Sequence, residues 1–183
     1  MDARIRYTKR AIQESFFKLL KEKPVNKITV KSICELSEIN RATFYKYYTD
    51  PFDLLKQIEA EFILKLQQLI ETADNKDITQ TLIIILSAIK KNAEIYTLLI
   101  SENGDSNFFN HVLLDSYRIK NPIMKALLPS MSQTHQEWFY YFMTHGCTSI
   151  LLSWVHNGMK EEPLEVAQFI NKLNNIMLKE LSN

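Results

Sequence analysis

The feature that most constrains this chain is the stretch from Thr29 to Leu55, which reads TVKSICELSEINRATFYKYYTDPFDLL. It predicts two short helices joined by a tight turn at Ser37 to Ile39. Thr29 is a favourable N-cap for the first helix, and Asn40 is a favourable N-cap for the second. The second helix carries an arginine, a threonine and several tyrosines, side chains that can be offered to a DNA major groove. The pattern is therefore typical of a helix-turn-helix.

The rest of the chain has helical spacing of its apolar residues and no strand or repeat pattern. Its three glycines and five prolines disfavour a turn-rich β fold. The fold class expected is all-α: an N-terminal three-helix helix-turn-helix domain and a C-terminal helical domain for ligand binding and dimerisation. The predicted helices are about Arg4–Lys23, Val30–Leu36, Arg41–Tyr47, Pro51–Thr72, Ile78–Asn92, Ala93–Glu102, Asn107–Leu128, Gln133–His156 and Pro163–Leu181.

Charge is distributed unevenly along the chain. Residues 1–50 hold 11 Lys and Arg against 6 Asp and Glu, a net charge of +5, whereas the remainder has a net charge of −4. A basic head on an acidic body suits a phosphate-binding domain. We therefore predict a DNA-binding domain at 1–50 and an effector-binding and dimerisation domain at 51–183, with residues 51–72 as a connecting helix.

The segment 28–55 resembles the DNA-binding domain of the TetR family of bacterial transcriptional regulators. The matching residues are Thr29, Val30 and Ile33, then Asn40 to Tyr48 with its Thr-Phe-Tyr triplet, then Leu54 and Leu55. A weaker similarity over 150–173 points to a subgroup that includes regulators of dihydroxyacetone kinase genes. The resemblance implies a repressor by default that binds a palindromic operator as a homodimer and responds to a small molecule.

Carried over position by position, the resemblance implies that six residues of the second helix face DNA. Lys31 on the first helix is expected to contact the DNA backbone from the other side of the groove. Arg41 would read guanine or pair with a phosphate, and the hydroxyls of Thr43, Tyr45 and Tyr47 would donate to phosphates. For Lys46, a solvated surface lysine is the alternative. The full set is Lys31, Arg41, Ala42, Thr43, Tyr45, Lys46 and Tyr47. Phe44 and Tyr48 are expected in the core.

Two positions depart from the family pattern. Glu38 stands where the turn usually has Gly, and a positive φ there would cost about 1 kcal/mol. Pro51 replaces a Lys that touches a phosphate. The alternative therefore kept open is a helical ligand-binding or protein-interaction module whose head has weakened or lost DNA binding.

Aromatic residues of the body are sufficient to line an apolar effector cavity. The predicted pocket contains Tyr96, Phe109, Tyr117, Trp138, Tyr141, Phe142 and His145. Each of these residues is also compatible with ordinary core packing.

A homodimer is predicted from surplus apolar surface on the last two helices. The helix from Trp138 to Val155 is apolar on nearly every side, and the final helix carries a broad apolar stripe. The predicted interface residues are Trp154, Val166, Phe169, Ile170, Leu173 and Met177. Core packing within one chain is the competing explanation.

No nucleophile–base pair, glycine-rich phosphate loop or carboxylate cluster supports an enzyme, and no cofactor or metal is expected. His145 and Cys147 are two residues apart on a helix, so their side chains diverge.

The longest apolar runs are too short to span a bilayer, and the polar first ten residues do not form a signal peptide. The expected partners are double-stranded DNA, a second copy and a small molecule. A cytoplasmic location fits Cys34 and Cys147 as reduced thiols.

Overall fold

The computed structural model describes residues 3–72, 78–104 and 128–181. The described parts contain α-helices and one short 3₁₀ turn, with no strand among them. The helices are α1 (Ala3–Glu22), α2 (Val30–Ser37), α3 (Arg41–Tyr45), α4 (Pro51–Thr72), α5 (Ile78–Lys91), α6 (Ala93–Leu99), α7 (Gln133–His156) and α8 (Pro163–Leu181), and the 3₁₀ turn spans Val25–Lys27. The all-α prediction is confirmed, and none of the described helices is long and apolar enough to cross a membrane.

The chain forms two compact units. Unit 1 takes in Met1–Lys65 and Glu94–Phe108, and unit 2 takes in Leu66–Ala93 and Phe109–Asn183. The predicted helix from about Asn107 to Leu128 lies outside the described residues, apart from Leu128 itself.

The core of unit 1 is built on α1, whose apolar residues recur at helical spacing. Ile12, Phe16 and Leu20 are fully buried at that spacing, and α2 packs along this helix. Ile33 of α2 and Phe44 of α3 complete the same core. The two short helices are therefore held by tertiary packing, since helices of eight and five residues are too short to be stable alone.

The start of α4 is fixed by two carboxylates. Asp50 Oδ1 accepts hydrogen bonds from the backbone N–H groups of Phe52 (2.8 Å) and Asp53 (2.9 Å). Asp53 Oδ2 in turn accepts from the N–H of Thr49 at 2.8 Å. These bonds satisfy N–H groups that a helix leaves unpaired at its start. Pro51 occupies the first helical position, as predicted.

In unit 2, α5 packs against α8. The Asn171 amide donates to the hydroxyl of Thr79 at 2.7 Å, and the Lys90 ammonium donates to the Glu162 carboxylate at 2.9 Å. The indole N–H of Trp154 donates to the carbonyl of Glu161 at 3.1 Å and so ties the end of α7 to the approach to α8. The bounds of α7 and α8 are those predicted from sequence.

Candidate nucleic-acid interface

The α2 helix begins in a reciprocal capping arrangement. The N–H of Ser32 donates to Thr29 Oγ1 at 3.1 Å, and the N–H of Thr29 donates to Ser32 Oγ at 3.2 Å. Both bonds satisfy N–H groups at the start of the helix. The Thr29 cap predicted from sequence is confirmed, and it fixes the position of Lys31 in the first turn of α2.

The turn between α2 and α3 places a glutamate in the left-handed region. Glu38 has φ 55° and ψ 37°, and its N–H donates to the carbonyl of Cys34. The N–H of Ile39 donates to the same carbonyl at 3.1 Å. The chain therefore adopts at Glu38 a conformation that usually favours glycine.

The α3 helix is capped by Asn40. Its Oδ1 accepts from the N–H of Thr43 at 2.7 Å and from the hydroxyl of Thr43 at 2.9 Å. Phe44 is fully buried, so it anchors α3 to the core and turns the neighbouring side chains outward. Tyr45, with 57% of its surface exposed, lies on that outer side together with Arg41.

The seven predicted DNA-facing residues divide into two groups. The exposed group is Lys31, Arg41, Ala42, Tyr45 and Lys46, and the half-buried group is Thr43 and Tyr47. In the structure the Thr43 hydroxyl donates to Asn40 Oδ1, and its donation to a phosphate stays a prediction. Helix α3 ends at Tyr45, earlier than predicted, so Lys46 and Tyr47 extend from the turn that follows it.

Two residues from other helices support Tyr47, and the sequence analysis missed both. The ammonium of Lys9 lies 5.8 Å from the centroid of the Tyr47 ring and 5.7 Å from that of Tyr48. The Gln57 side chain donates to the backbone carbonyl of Tyr47 at 3.1 Å. A cation at this distance from aromatic rings is attracted to them. No local signal in the sequence marks either residue, because both contacts depend on how α1 and α4 pack.

Burial raises the pKa of two titratable groups in residues 3–50, the three-helix head. Burial, followed by the neighbouring carboxylate of Glu61, raises the pKa of Tyr48 to about 12. Burial also raises the pKa of the Cys34 thiol. Among the seven predicted DNA-facing residues, the charged side chains are those of Lys31, Arg41 and Lys46, and all three are exposed. Lys31 has Glu35 one helical turn away, with 3.8 Å between the charged atoms.

Pro51 offers no cation at the start of α4. Its side chain is buried, and the cap at this point is made by Asp50 and Asp53. Pro51 therefore preserves the start of α4. It does not provide the positively charged side chain that the family pattern has at this position.

The predicted effector-pocket residues that the structure describes belong to both compact units, and the pocket stays a prediction. Tyr96 is buried in unit 1, where its ring centroid lies 5.1 Å from that of Phe62. Trp138, Tyr141, Phe142 and His145 are exposed on one side of α7 in unit 2. Phe109 and Tyr117 lie outside the described residues. The inward side of α7 is formed instead by Phe139 and Tyr140.

The predicted dimer-interface residues fall into two groups by burial. Trp154, Val166 and Ile170 are buried within their own chain, so they present little surface to a second copy. Phe169 is 55% exposed, and Leu173 and Met177 are half-buried. From the sequence, the apolar residues of α8 were expected to form one surface. In the structure, one edge of this stripe is buried and the other is exposed.

Two grooves open on unit 2 among the described residues. One of about 310 Å³ lies between α7 and α8, and it is lined by Ile150, Ser153, Trp154, Asn157, Glu161, Glu165, Val166 and Phe169. The other, of about 420 Å³, lies between α5 and α8, and it is lined by Thr79, Gln168, Asn171, Lys172, Asn175, Ile176 and Lys179. Neither groove contains a predicted pocket residue.

A family model of the TetR type, described as "Transcriptional regulator C-terminal region", matches residues 76–175. This match covers more than half of the chain. Among curated proteins, the chain is 21% identical over 169 residues to the "Uncharacterized HTH-type transcriptional regulator YxbF" of Bacillus subtilis (strain 168). The aligned region is 88% of this chain and 43% of that relative, so the chain spans less than half of the relative's length.

Solved structures with the same fold include two regulators. The dihydroxyacetone kinase operon activator DhaS superposes with a TM-score of 0.64 at 19% identity, covering 94% of this chain and 96% of that one. The fatty acid degradation regulator FadR from Bacillus halodurans superposes with a TM-score of 0.62 at 12% identity, covering 91% and 93%. At these identities the similarity establishes the fold alone.

Proposed function

Since the chain belongs to the TetR family of transcriptional regulators, we propose that two copies bind a palindromic DNA operator and each insert α3 into the major groove of one half-site. The family consists of regulators and not of enzymes. The observation that carries the proposal is the outward face of α3, where Arg41 and Tyr45 are exposed while Phe44 anchors the helix. A recognition helix needs this combination of a fixed axis and free polar side chains.

The exposed residues of α3 have distinct chemical roles in this proposal. Arg41 follows the Asn40 cap directly, and its planar guanidinium suits the two acceptors of guanine in the major groove. Ala42 and the Tyr45 ring suit contact with thymine methyl groups. Lys31 and Lys46 suit phosphates, which fix the register of a protein on DNA and carry no sequence information.

The test begins with DNA selected from a random duplex library by the unmodified protein. We expect Arg41→Ala and Tyr45→Ala each to weaken binding of the selected DNA by about 1–3 kcal/mol, because each removes a base contact. Both side chains are exposed, so the free energy of unfolding is expected to change by less than about 0.5 kcal/mol.

Lys91→Ala is the matched control, since it removes one exposed positive charge from α5 in unit 2. It is expected to leave binding unchanged. If the unmodified protein selects no sequence, the alternative of a helical module without DNA binding is favoured. Unaltered binding by both α3 variants would remove α3 from its role as reader.

We propose that the dimer forms through the outward faces of α7 and α8. Trp138 and Phe142 are 64% and 65% exposed on α7, and Tyr141 and His145 extend the same side. On α8, Phe169 and Ile176 are exposed seven residues apart. Phe169 also borders the groove between the two helices. Exposed apolar patches often mark an interaction surface.

We also propose that a small molecule bound by unit 2 controls DNA affinity, with repression as the sign of control. The family model of a regulator C-terminal region matches residues 76–175. This match supports a regulatory role for the C-terminal part of the chain, separate from the proposed DNA-binding head. One relative is a fatty acid degradation regulator and another a dihydroxyacetone kinase operon activator, so acyl compounds and small hydroxylated metabolites form the first screen. A ligand must raise the thermal midpoint and change operator affinity. Stabilisation without a change in affinity would contradict control by that ligand.

A further inference from the structure

Residues 94–104, which we call the 94–104 segment, belong to the same compact unit as the reading head. The segment includes most of α6 and the turn that follows it. Its contacts with α1 and α4 are made by residues more than thirty positions away in the chain. They have no part in the DNA contacts proposed above.

Asn103 joins this segment to the end of α1. Its side-chain Nδ2 donates to the carbonyl of Leu20 at 3.0 Å, and its own carbonyl accepts from the N–H of Val25, also at 3.0 Å. A helix leaves its last carbonyl groups without partners inside the helix. Asn103 therefore completes the C-terminal end of α1 and holds the first residue of the 3₁₀ turn that leads to α2.

The position of Asn103 is itself fixed by a close approach at Gly104. A Cβ atom added to Gly104 would lie 2.4 Å from the carbonyl oxygen of Leu99 and 2.7 Å from that of Leu98. Any side chain at 104 would force this turn to open. The N–H of Gly104 also donates to the carbonyl of Ser101 at 3.0 Å, which closes the turn.

The same segment contacts α1 and α4 at two further points. Lys21 near the end of α1 forms an ion pair with Glu94. The ring of Tyr96, 2% exposed, packs edge-on against Phe62 of α4. The segment therefore ties the three-helix head to α4 on a path separate from the covalent link at Asp50.

We propose that Asn103 is a positioning residue for DNA reading, which holds the head at one fixed angle to α4. The inference rests on the proposed function. In a dimer, two half-sites are read together only if the two heads lie one helical turn of DNA apart, about 34–36 Å. If the head could rotate about the end of α1, binding to both half-sites would restrict that rotation. The entropy lost would lower the affinity for DNA.

The experiment uses the full chain and the DNA it selects from a random duplex library. Three kinds of duplex are compared: the selected two-half-site DNA, versions with one to four base pairs inserted or removed between the half-sites, and a single half-site. Asn103→Ala removes the bond to Leu20. Asn92→Ala is the matched control, because the Asn92 amide makes an equivalent bond to the carbonyl of Ala88 at 2.8 Å, near the end of α5 in unit 2.

Asn103→Ala is expected to raise the Kd for the selected DNA about fivefold, the effect of losing one hydrogen bond. It is also expected to flatten the preference for one spacing and to leave the Kd for a single half-site unchanged. Gly104→Ala, which displaces Asn103 but keeps its side chain, is expected to give the same pattern. Asn92→Ala is expected to behave as the unmodified protein does.

An unchanged spacing preference in both Asn103→Ala and Gly104→Ala would overturn the inference. An equal loss of single-half-site binding would also overturn it, because that result assigns Asn103 to the folding of the head and not to its placement. If the unmodified protein selects no DNA, the proposed function fails first, which distinguishes the two outcomes.

Discussion

At the scale of single residues, the head depends on a few side chains with local roles. Asn40 and Thr29 cap helices, Phe44 anchors α3, and Glu38 holds the turn between the two helices in the left-handed region. Glu38 is an exposed residue, so its side chain contributes no core packing that offsets the backbone cost. The position therefore carries a conformational penalty that glycine would relieve.

Glu38→Gly is expected to raise the free energy of unfolding by about 0.5–1 kcal/mol, because glycine adopts φ 55° without a Cβ clash. Urea unfolding followed by circular dichroism measures the change. The matched control is Glu35→Gly within α2, which is expected to lower stability by about 1 kcal/mol. A loss of stability in Glu38→Gly would show that Glu38 makes a compensating interaction.

At the scale of elements, helix starts are fixed by side-chain acceptors. The α4 start is the strongest case, because Asp50 accepts two N–H bonds and Asp53 accepts one. The hydrogen bond from the N–H of Thr49 lowers the pKa of Asp53 below its ordinary value of 3.8. An anion in the first turn is also favoured by the helix dipole.

A group whose pKa is lowered by folding stabilises the fold above its unfolded pKa and loses that effect as pH falls through the folded value. Asp53→Asn is therefore expected to lower stability by about 0.5 kcal/mol at pH 7, and the difference from the unmodified protein should shrink below about pH 4. Thermal unfolding at a series of pH values measures this. Asp50→Asn is the control, with a smaller expected change because Asn caps as well as Asp. A pH-independent difference for Asp53→Asn would contradict a role for its charge.

At the scale of the whole molecule, the aromatic residues on the outer side of α7 carry the strongest evidence for a second copy. The sequence predicted surplus apolar surface on the Trp138–Val155 segment, available to a second copy. Within one chain, Phe139 and Tyr140 are buried while Trp138 and Phe142 are exposed. A homodimer would bury this surface, and binding to DNA with two half-sites would require two copies of the chain.

Phe142→Glu is expected to weaken dimerisation at least about 30-fold, because a charge would be desolvated without a partner. Sedimentation velocity between nanomolar and micromolar concentrations measures the change. Gln68→Glu on α4 is the matched control, since it adds the same charge at an exposed position of unit 2 outside α7 and α8. A monomeric unmodified protein at micromolar concentration would remove the dimer from the proposal. Equal weakening by both variants would show that added charge, and not the α7 surface, is responsible.

The sequence by itself determined the all-α fold, the helix caps at Thr29 and Asn40, the helix start at Pro51, and the tight turn around Glu38. These features depend on hydrogen bonds and backbone sterics within a few residues, so local patterns contain them. Only the tertiary structure decided which side of α7 faces outward, because a helix that is apolar on nearly every side has no periodicity to mark its buried face. It also decided which edge of the broad apolar stripe on α8 is buried. The bonds of Asn103 to Leu20 and Val25 join residues some eighty positions apart, so no local pattern contains them, and only the packed fold brings these residues together.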